Sequence, residues 1–142
     1  MSTKEFSTQV RVYIEDTDAG GVVYYVNYLK FMERARSDFL RSLGFAKPAL
    51  LTDDLLLMVA SAGVDYKRSA KLDDVLSVTA SISKVARSYV VFSQSVRKVC
   101  GDETKEELAL GSIKVACVNK KTMKPVSMPV SLREILVEYQ GE

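Results

Sequence analysis

A single amphipathic helix followed by four strand-like segments limits this chain to very few architectures. Its helical face is marked by apolar residues at intervals of four, three, four and four: Tyr28, Met32, Ala35, Phe39 and Leu43. Side chains with this spacing share one face of a helix. Gly44 follows at the position where a left-handed cap favours glycine. The pattern predicts a helix from about Tyr25 to Leu43 with one buried face.

Strands are predicted on both sides of this helix. Before it, Val10, Val12 and Ile14 alternate with other residues, and after it come Leu55–Arg68, Val75–Lys84, Tyr89–Val99 and Leu108–Val118. A proline-containing loop then leads to Ser131, which is predicted to cap a short last helix ending near Tyr139. The order predicts one α+β domain over residues 1–142, with an antiparallel sheet of about five strands wrapped around the long helix.

The predicted sheet has long edges. An edge strand presents unpaired backbone groups that can pair with another chain. We therefore expect a symmetric dimer in which two sheets join edge to edge.

Composition excludes several classes of protein. The 142 residues include no histidine, which rules out Ser-His-Asp, Cys-His and His-containing zinc sites. Twenty basic side chains against 18 acidic ones are too balanced for a nucleic-acid-binding protein. The longest apolar run, Leu55–Ala60, is far too short to insert into a membrane. A polar N-terminus and two cysteines, Cys100 and Cys117, expected to be reduced, predict a cytoplasmic protein without a cofactor.

The residues best suited to catalysis lie in the segment Glu15–Tyr28. This segment joins a strand end to an acidic turn, two glycines and the start of the long helix. The first turn of a helix offers unpaired N–H groups and a partial positive charge, which suit a developing oxyanion. Asp18 on the same loop could then lie beside a carbonyl group held there. The competing interpretation is that the segment only forms a turn before the helix, because Asp-x-Asp followed by Gly-Gly is also a common turn sequence.

The same segment resembles a known family. The run Val10–Tyr24, followed by Asn27-Tyr28 and by Phe31–Arg36, is similar to the 4-hydroxybenzoyl-CoA thioesterase family, and most of all to its Tol–Pal-associated, YbgC-like branch. Ala70–Asp74 and Met123–Pro125 also resemble stretches of that branch. The resemblance implies a hotdog fold, acyl-CoA as substrate, and a homodimer with active sites at its interface, often assembled into a tetramer.

Site residues follow from this resemblance. Asp18 matches the catalytic carboxylate, the Tyr25 N–H matches the donor to the thioester oxygen, and Gly21 would shape the approach. Glu33 matches an acidic position on the helix, although a solvated or dimer-interface charge is an equal alternative. Gly20, Val23 and Tyr28 are expected to contact the substrate as well. Arg68, Lys71, Lys84 and Arg87 flank the turns that follow the predicted strands and are candidates for the phosphates of CoA, although such residues are more often simple surface charge. Arg87-Ser88 is favoured among them because the family places basic residues in this loop.

The sequence leaves two questions open. Most of the Tol–Pal-associated branch carries histidine where this chain has Tyr25, which puts the rate and the preferred acyl chain in question. Asp18 could attack the carbonyl carbon or activate a water molecule. A non-catalytic acyl-CoA or acyl-carrier binding module is the rival function, whereas a hotdog dehydratase is disfavoured because such enzymes generally use histidine.

Overall fold

A computed structural model describes residues 5–47, 51–101 and 104–141. Its elements are β1 (Phe6–Arg11), α1 (Asn27–Ser42), β2 (Leu55–Tyr66), β3 (Val75–Val85), β4 (Tyr89–Cys100), β5 (Thr104–Asn119) and α2 (Val130–Glu138), with one 3-10 turn at Ile14–Asp16. The strands form one sheet in the order β1-β3-β4-β5-β2, and every neighbouring pair is antiparallel. The predicted α+β class and five-stranded sheet are confirmed.

The core lies between α1 and the sheet. The helix packs mainly on β1, β3 and β4, and it buries the predicted face, including Tyr28, Met32, Ala35 and Phe39. Its close approach to β5 depends on Gly111, where an added Cβ would lie 2.8 Å from Sδ of Met32. The helix ends as predicted, with Gly44 at a φ of +105°.

The edge strand β2 contains an irregularity. Its pairing with β5 shifts by one residue between Val59 and Ser61, so Ala60 is an extra residue, a β-bulge, in the middle of the strand. Because β2 closes the sheet beyond β5, its other side meets no strand among the described residues.

Two local predictions are wrong. The first strand ends at Arg11, because Val12 leaves the sheet edge to pair through its backbone with Asp73 and Asp74. Ile14 consequently lies in the 3-10 turn and is 77% exposed. Ser131 lies inside α2 rather than capping it, since the N-cap position is Pro129 and no side chain caps that end.

The predicted strands after the helix agree with the structure. The four later strands lie within a few residues of their predicted bounds, apart from the earlier start of β5 at Thr104. Cys100 and Cys117 form no disulfide, and the thiol of Cys117 is fully buried in the core. Neither α1 nor α2 combines the length and the hydrophobicity that a bilayer-spanning helix needs.

Candidate active site

Asp18 opens a tight turn that ends at Gly21. Thr17 and Val23 pair on either side of it, and the Gly21 N–H donates to the Asp18 carbonyl at 3.1 Å. Gly21 has a φ of +82°, a conformation that favours glycine. The exposed carboxylate of Asp18 folds back over the turn, where its Oδ1 accepts a hydrogen bond of 2.8 Å from the Gly20 N–H. The turn therefore presents a carboxylate in a defined position.

Asp16 and Asp18 have different surroundings. The carboxylate of Asp16 accepts a hydrogen bond from the Tyr13 N–H at 2.9 Å. The backbone carbonyl of Asp16 accepts hydrogen bonds from the Tyr24 N–H and from Nδ2 of Asn27. Asp16 thus ties the loop to the beginning of α1. Within residues 5–47, 51–101 and 104–141, the Asp18 carboxylate bonds only to the Gly20 N–H of its own turn, which leaves it as the available carboxylate of the pair.

The turn is attached to the loop that precedes β3. Val22 pairs with Lys71, and the Val23 N–H donates to the Ala70 carbonyl at 2.8 Å. Lys71 is exposed at this junction and makes no ion pair with the described residues. The backbone contacts hold Asp18 and Lys71 on two adjoining loops.

Tyr25 lies just outside α1 rather than in its first turn, because the N-cap position is Val26. No side chain caps this end of the helix. Within the described part of the chain, the Tyr25 N–H has no hydrogen-bond acceptor, whereas the Tyr25 carbonyl accepts from Tyr28. The N-terminal end of a helix is electropositive. An open donor therefore stands where a negatively charged oxygen would be stabilised.

A small pocket of about 160 Å³ adjoins this donor and is lined by Val23, Tyr25, Tyr28, Tyr66, Lys67, Arg68 and Ser69. The Tyr66 ring contacts those of Tyr25 and Tyr28, with centroid distances of 5.9 and 5.5 Å. The Tyr28 hydroxyl accepts from the Ala70 N–H at 2.9 Å. Burial raises the pKa of both Tyr28 and Tyr66, so these hydroxyls remain protonated at neutral pH.

Two cations stand at the edge of the pocket. Lys67 and Arg68 form exposed ion pairs with Glu107 and Glu106, at 3.2 and 2.9 Å. Pairs of this kind contribute little to stability, so an incoming anion could displace the carboxylates. Among the described residues, no group of three Asp, Glu, Cys or His side chains could hold a metal ion.

Of the predicted residues, Val23, Tyr25, Tyr28 and Arg68 line this pocket, and Asp18, Gly20, Gly21 and Lys71 lie on the two adjoining loops. Four predicted residues lie away from it: Glu33, Lys84, Arg87 and Ser88. Lys84 is near the end of β3, with its Nζ 5.4 Å from the centroid of the Tyr89 ring.

Glu33 lies on α1, where it lines a separate groove together with Arg36 and Val59. Arg87 and Ser88 lie in the β3–β4 connection, where their carbonyls accept from the N–H groups of Met128 and Cys117. Cys117 pairs with Leu57, whereas Tyr66 pairs with Ala109, so Ser88 and Tyr66 are at opposite ends of the region in which β2 and β5 pair. One copy of the chain does not bring them together.

Comparison with known proteins decides the family. A family model described as the thioesterase superfamily matches residues 20–104. The chain belongs to this superfamily. It is 43% identical over 129 residues to the acyl-CoA thioesterase YbgC of Haemophilus influenzae, covering 90% of this chain and 91% of that protein.

Solved structures agree with the superfamily assignment. A probable thioesterase from Bartonella henselae is 31% identical, covers 88% of this chain and 98% of its own, and has a TM-score of 0.73. A 4-hydroxybenzoyl CoA thioesterase complexed with 4-hydroxybenzoyl CoA has a TM-score of 0.85 at 16% identity, covering 94% of this chain and 99% of its own. The latter shows a shared fold. The predicted resemblance and the hotdog fold of this thioesterase-superfamily chain are confirmed.

Sequence reasoning missed Tyr66 and Lys67. Tyr66 is the last residue of β2 and Lys67 follows it, and both lie within the predicted strand Leu55–Arg68. An aromatic residue on the inward face of a strand, followed by two basic residues, is the signal that points to them. That signal becomes meaningful only once the strand order places the end of β2 beside Tyr25.

Proposed function

We propose that this chain hydrolyses acyl-CoA thioesters to a free acid and CoA. The observation that carries the proposal is the open Tyr25 N–H at the uncapped start of α1, which stands next to the loop of Asp18. The substrate carbonyl oxygen would accept a hydrogen bond from this N–H. An oxyanion donor of this kind contributes about 10²–10³-fold to the rate of acyl transfer.

Asp18 supplies the second group. Its Oδ1 is bonded to the Gly20 N–H, and its Oδ2 makes no hydrogen bond with the described residues. That oxygen can attack the carbonyl carbon, which expels the CoA thiolate and leaves a mixed anhydride for water to cleave. Alternatively, it takes a proton from a water molecule that attacks the same carbon. Both routes give the same acid and thiol.

Tyr28 and Tyr66 are compatible with a thioesterase site that contains no histidine. A thiolate leaves readily, so no strong general acid is needed at the sulfur. Tyr28 and Tyr66 keep their hydroxyl protons at neutral pH because burial raises their pKa. They would line the acyl group, and Gly20, Gly21 and Val23 would form the wall on the side of the turn.

We propose further that the active form is a dimer joined through β2, and that two such dimers can form a tetramer. Antiparallel pairing of β2 with its copy would bring the β3–β4 connection of the other copy to the Tyr66 end of this strand. Two strands would then lie between Tyr66 and the other copy's Ser88. At about 4.8 Å per strand, this is a span of roughly 14 Å, which a pantetheine arm can bridge.

In this dimer, Arg87 and Ser88 of the other copy would form a site for the CoA phosphates. Lys71 and Arg68 would lie on the near side of the same site. Because coenzyme A esters are made and consumed inside cells, the expected cytoplasmic location goes with this substrate.

A thiol-release assay over short, long and aromatic acyl-CoAs tests the proposed function. We expect turnover of at least one class, with the thiol and the acid formed in equal amounts. Saturable binding of all classes without release of thiol would contradict the proposal and favour a binding module.

A further inference from the structure

Asn27 is the first residue of α1, and its side chain does not cap the helix. The N-cap position is Val26, and no side-chain hydrogen bond caps this end among the described residues. An asparagine at the N-cap would accept from the open N–H groups through its side-chain oxygen. One position later, the buried side chain of Asn27 donates from Nδ2 to the carbonyl of Asp16 at 2.9 Å. The amide is therefore directed to the loop, and the helix end stays open.

The backbone N–H of Asn27 determines the direction of the Tyr25 N–H. It donates to the Tyr24 carbonyl at 2.8 Å. That carbonyl belongs to the same peptide group as the Tyr25 N–H, and the two point in opposite directions across a planar trans peptide. Because the carbonyl is turned toward Asn27, the Tyr25 N–H faces away from the helix, where the substrate oxygen would lie.

The carbonyl of Asp16 connects the two halves of the candidate site. It accepts from Nδ2 of Asn27 at 2.9 Å and from the Tyr24 N–H at 3.0 Å, which occupies both of its lone pairs. Two residues later, the Asp18 N–H donates to the Val22 carbonyl at 2.9 Å, within the turn that carries the carboxylate. One acceptor therefore joins the start of the Asp18 turn to the peptide group that supplies the oxyanion donor.

We propose that Asn27 is a positioning residue for thioester hydrolysis, which holds the Asp18 carboxylate and the Tyr25 N–H at the separation that one thioester carbonyl requires. The inference rests on the acyl-CoA hydrolysis proposed above. Asn27 does not line the pocket beside Tyr25, so it acts through its neighbours. A displacement of about 1 Å between reacting groups can cost on the order of 10²-fold in rate. A hydrogen bond that sets this separation should therefore be visible in kcat.

Asn27→Leu tests the side-chain hydrogen bond, because leucine has nearly the same shape as asparagine, carries no donor and adds no charge near the oxyanion. We expect kcat to fall roughly 10–100-fold while KM changes by less than about threefold, since no group that contacts the substrate is altered. Asn27→Ala removes the same donor without apolar bulk, so it serves as the second variant should Asn27→Leu not fold. Normal kcat in the folded variant would overturn the inference.

A double variant distinguishes positioning from an independent effect on the rate. If the Asn27 side chain acts by placing the Asp18 carboxylate, its effect should vanish once that carboxylate is gone. Asn27→Leu added to Asp18→Asn should therefore lower the residual kcat by less than about threefold. Losses that multiply would overturn the inference, because they would show that Asn27 acts without Asp18.

Thr79→Val is the matched control for the loss of a buried hydrogen bond. The hydroxyls of Thr79 and Ser95 form a buried hydrogen bond of 2.8 Å on the sheet, and neither residue lines the candidate site. Valine keeps the shape of threonine, so this variant should lower the midpoint of thermal unfolding and leave kcat unchanged well below that midpoint. An equal loss of kcat in Thr79→Val and Asn27→Leu would assign the effect to stability and overturn the inference.

Turnover by the unmodified chain separates the two proposals. A chain that releases no thiol from any acyl-CoA contradicts the thioesterase function together with the positioning role that depends on it. An unmodified chain that turns over acyl-CoA, with normal kcat in the Asn27 variants, contradicts the positioning role alone.

Discussion

The backbone nitrogen of Gly20 lies 2.8 Å from Oδ1 of Asp18, so the turn that carries the carboxylate also fixes its direction. A Cβ at position 20 would lie 3.3 Å from that oxygen. The absence of a side chain at position 20 therefore allows the carboxylate at position 18 to approach the backbone without a close contact.

Asp18→Asn should lower kcat by about 10²–10⁴-fold, because the amide is neither a nucleophile nor a base. The amide oxygen can still accept from the Gly20 N–H, so the fold should be kept, with an unchanged midpoint of thermal unfolding. Steady-state thiol release and circular dichroism measure the two effects. Asp53→Asn, an exposed carboxylate on another loop, is the control and should behave as the unmodified chain. Normal turnover by Asp18→Asn would remove Asp18 from the mechanism.

The two glycines of the turn should respond differently to alanine. Gly21→Ala places a Cβ at a φ of +82°, and we expect a loss of about 1–2 kcal/mol in the free energy of unfolding. Gly20→Ala should cost little stability but displace the Asp18 carboxylate and lower kcat. Urea unfolding and thiol release on the same preparations separate these effects. Equal losses of stability in both variants would contradict the assignment of a backbone role to Gly21 and of a carboxylate-positioning role to Gly20.

Tyr25→Phe should keep kcat within about tenfold of normal, because the proposed donor is the backbone N–H and the ring survives the change. The measurement is kcat for the best acyl-CoA, with Tyr24→Phe as the neighbouring control. A loss of several orders of magnitude would show that the hydroxyl takes part in the reaction.

Arg87→Glu should raise KM for acyl-CoA and leave KM for the matching acyl-pantetheine ester unchanged, since only CoA carries the phosphorylated nucleotide. Arg133→Glu on α2 serves as the control for a simple change of net charge. An equal rise of KM for both esters would place Arg87 outside the nucleotide site.

Alkaline pH should destabilise the chain in part through Tyr28. Burial raises the pKa of its hydroxyl above the ordinary value of 10.0, so the unfolded chain loses this proton first. The corresponding stability is fully present below pH 10.0 and declines as the pH rises through the folded-state pKa. Tyr28→Phe should lower stability by about 1 kcal/mol at neutral pH, because the Ala70 N–H loses its acceptor. It should also flatten the decline above pH 10.0. Equilibrium unfolding at several pH values measures both effects, and a parallel decline in the variant would assign the alkaline loss to other groups.

Local elements could be predicted from the sequence, because helical and strand periods are local signals. The apolar face of α1 and the cap at Gly44 follow from spacing alone. The departure of Val12 from β1 could not be predicted, since it depends on backbone hydrogen bonds to Asp73 and Asp74, more than sixty residues away. Hydrogen bonds between residues this far apart in the chain leave no local pattern in the sequence.

The candidate site likewise contains residues that one short sequence segment predicts and residues that only the strand order brings to it. Asp18 and Tyr25 belong to one short segment whose family resemblance is specific. Tyr66 joins them only because β2 takes the edge position beyond β5, and strand order is a long-range property. Glu33 lies on α1 in a separate groove that Arg36 also lines, a placement that the sequence does not indicate.

The bulge at Ala60 has a consequence for the geometry of β2. Side chains alternate between the two faces of a strand, so an odd-numbered and an even-numbered residue normally point in opposite directions. The extra residue at position 60 shifts this alternation by one position halfway along β2. The odd-numbered Leu57 and Val59 therefore point to the same side of the sheet as the even-numbered Ala62 and Tyr66. A chain lacking Ala60 would keep its strand but present Tyr66 to the outer face, and the aromatic wall beside Tyr25 would be gone.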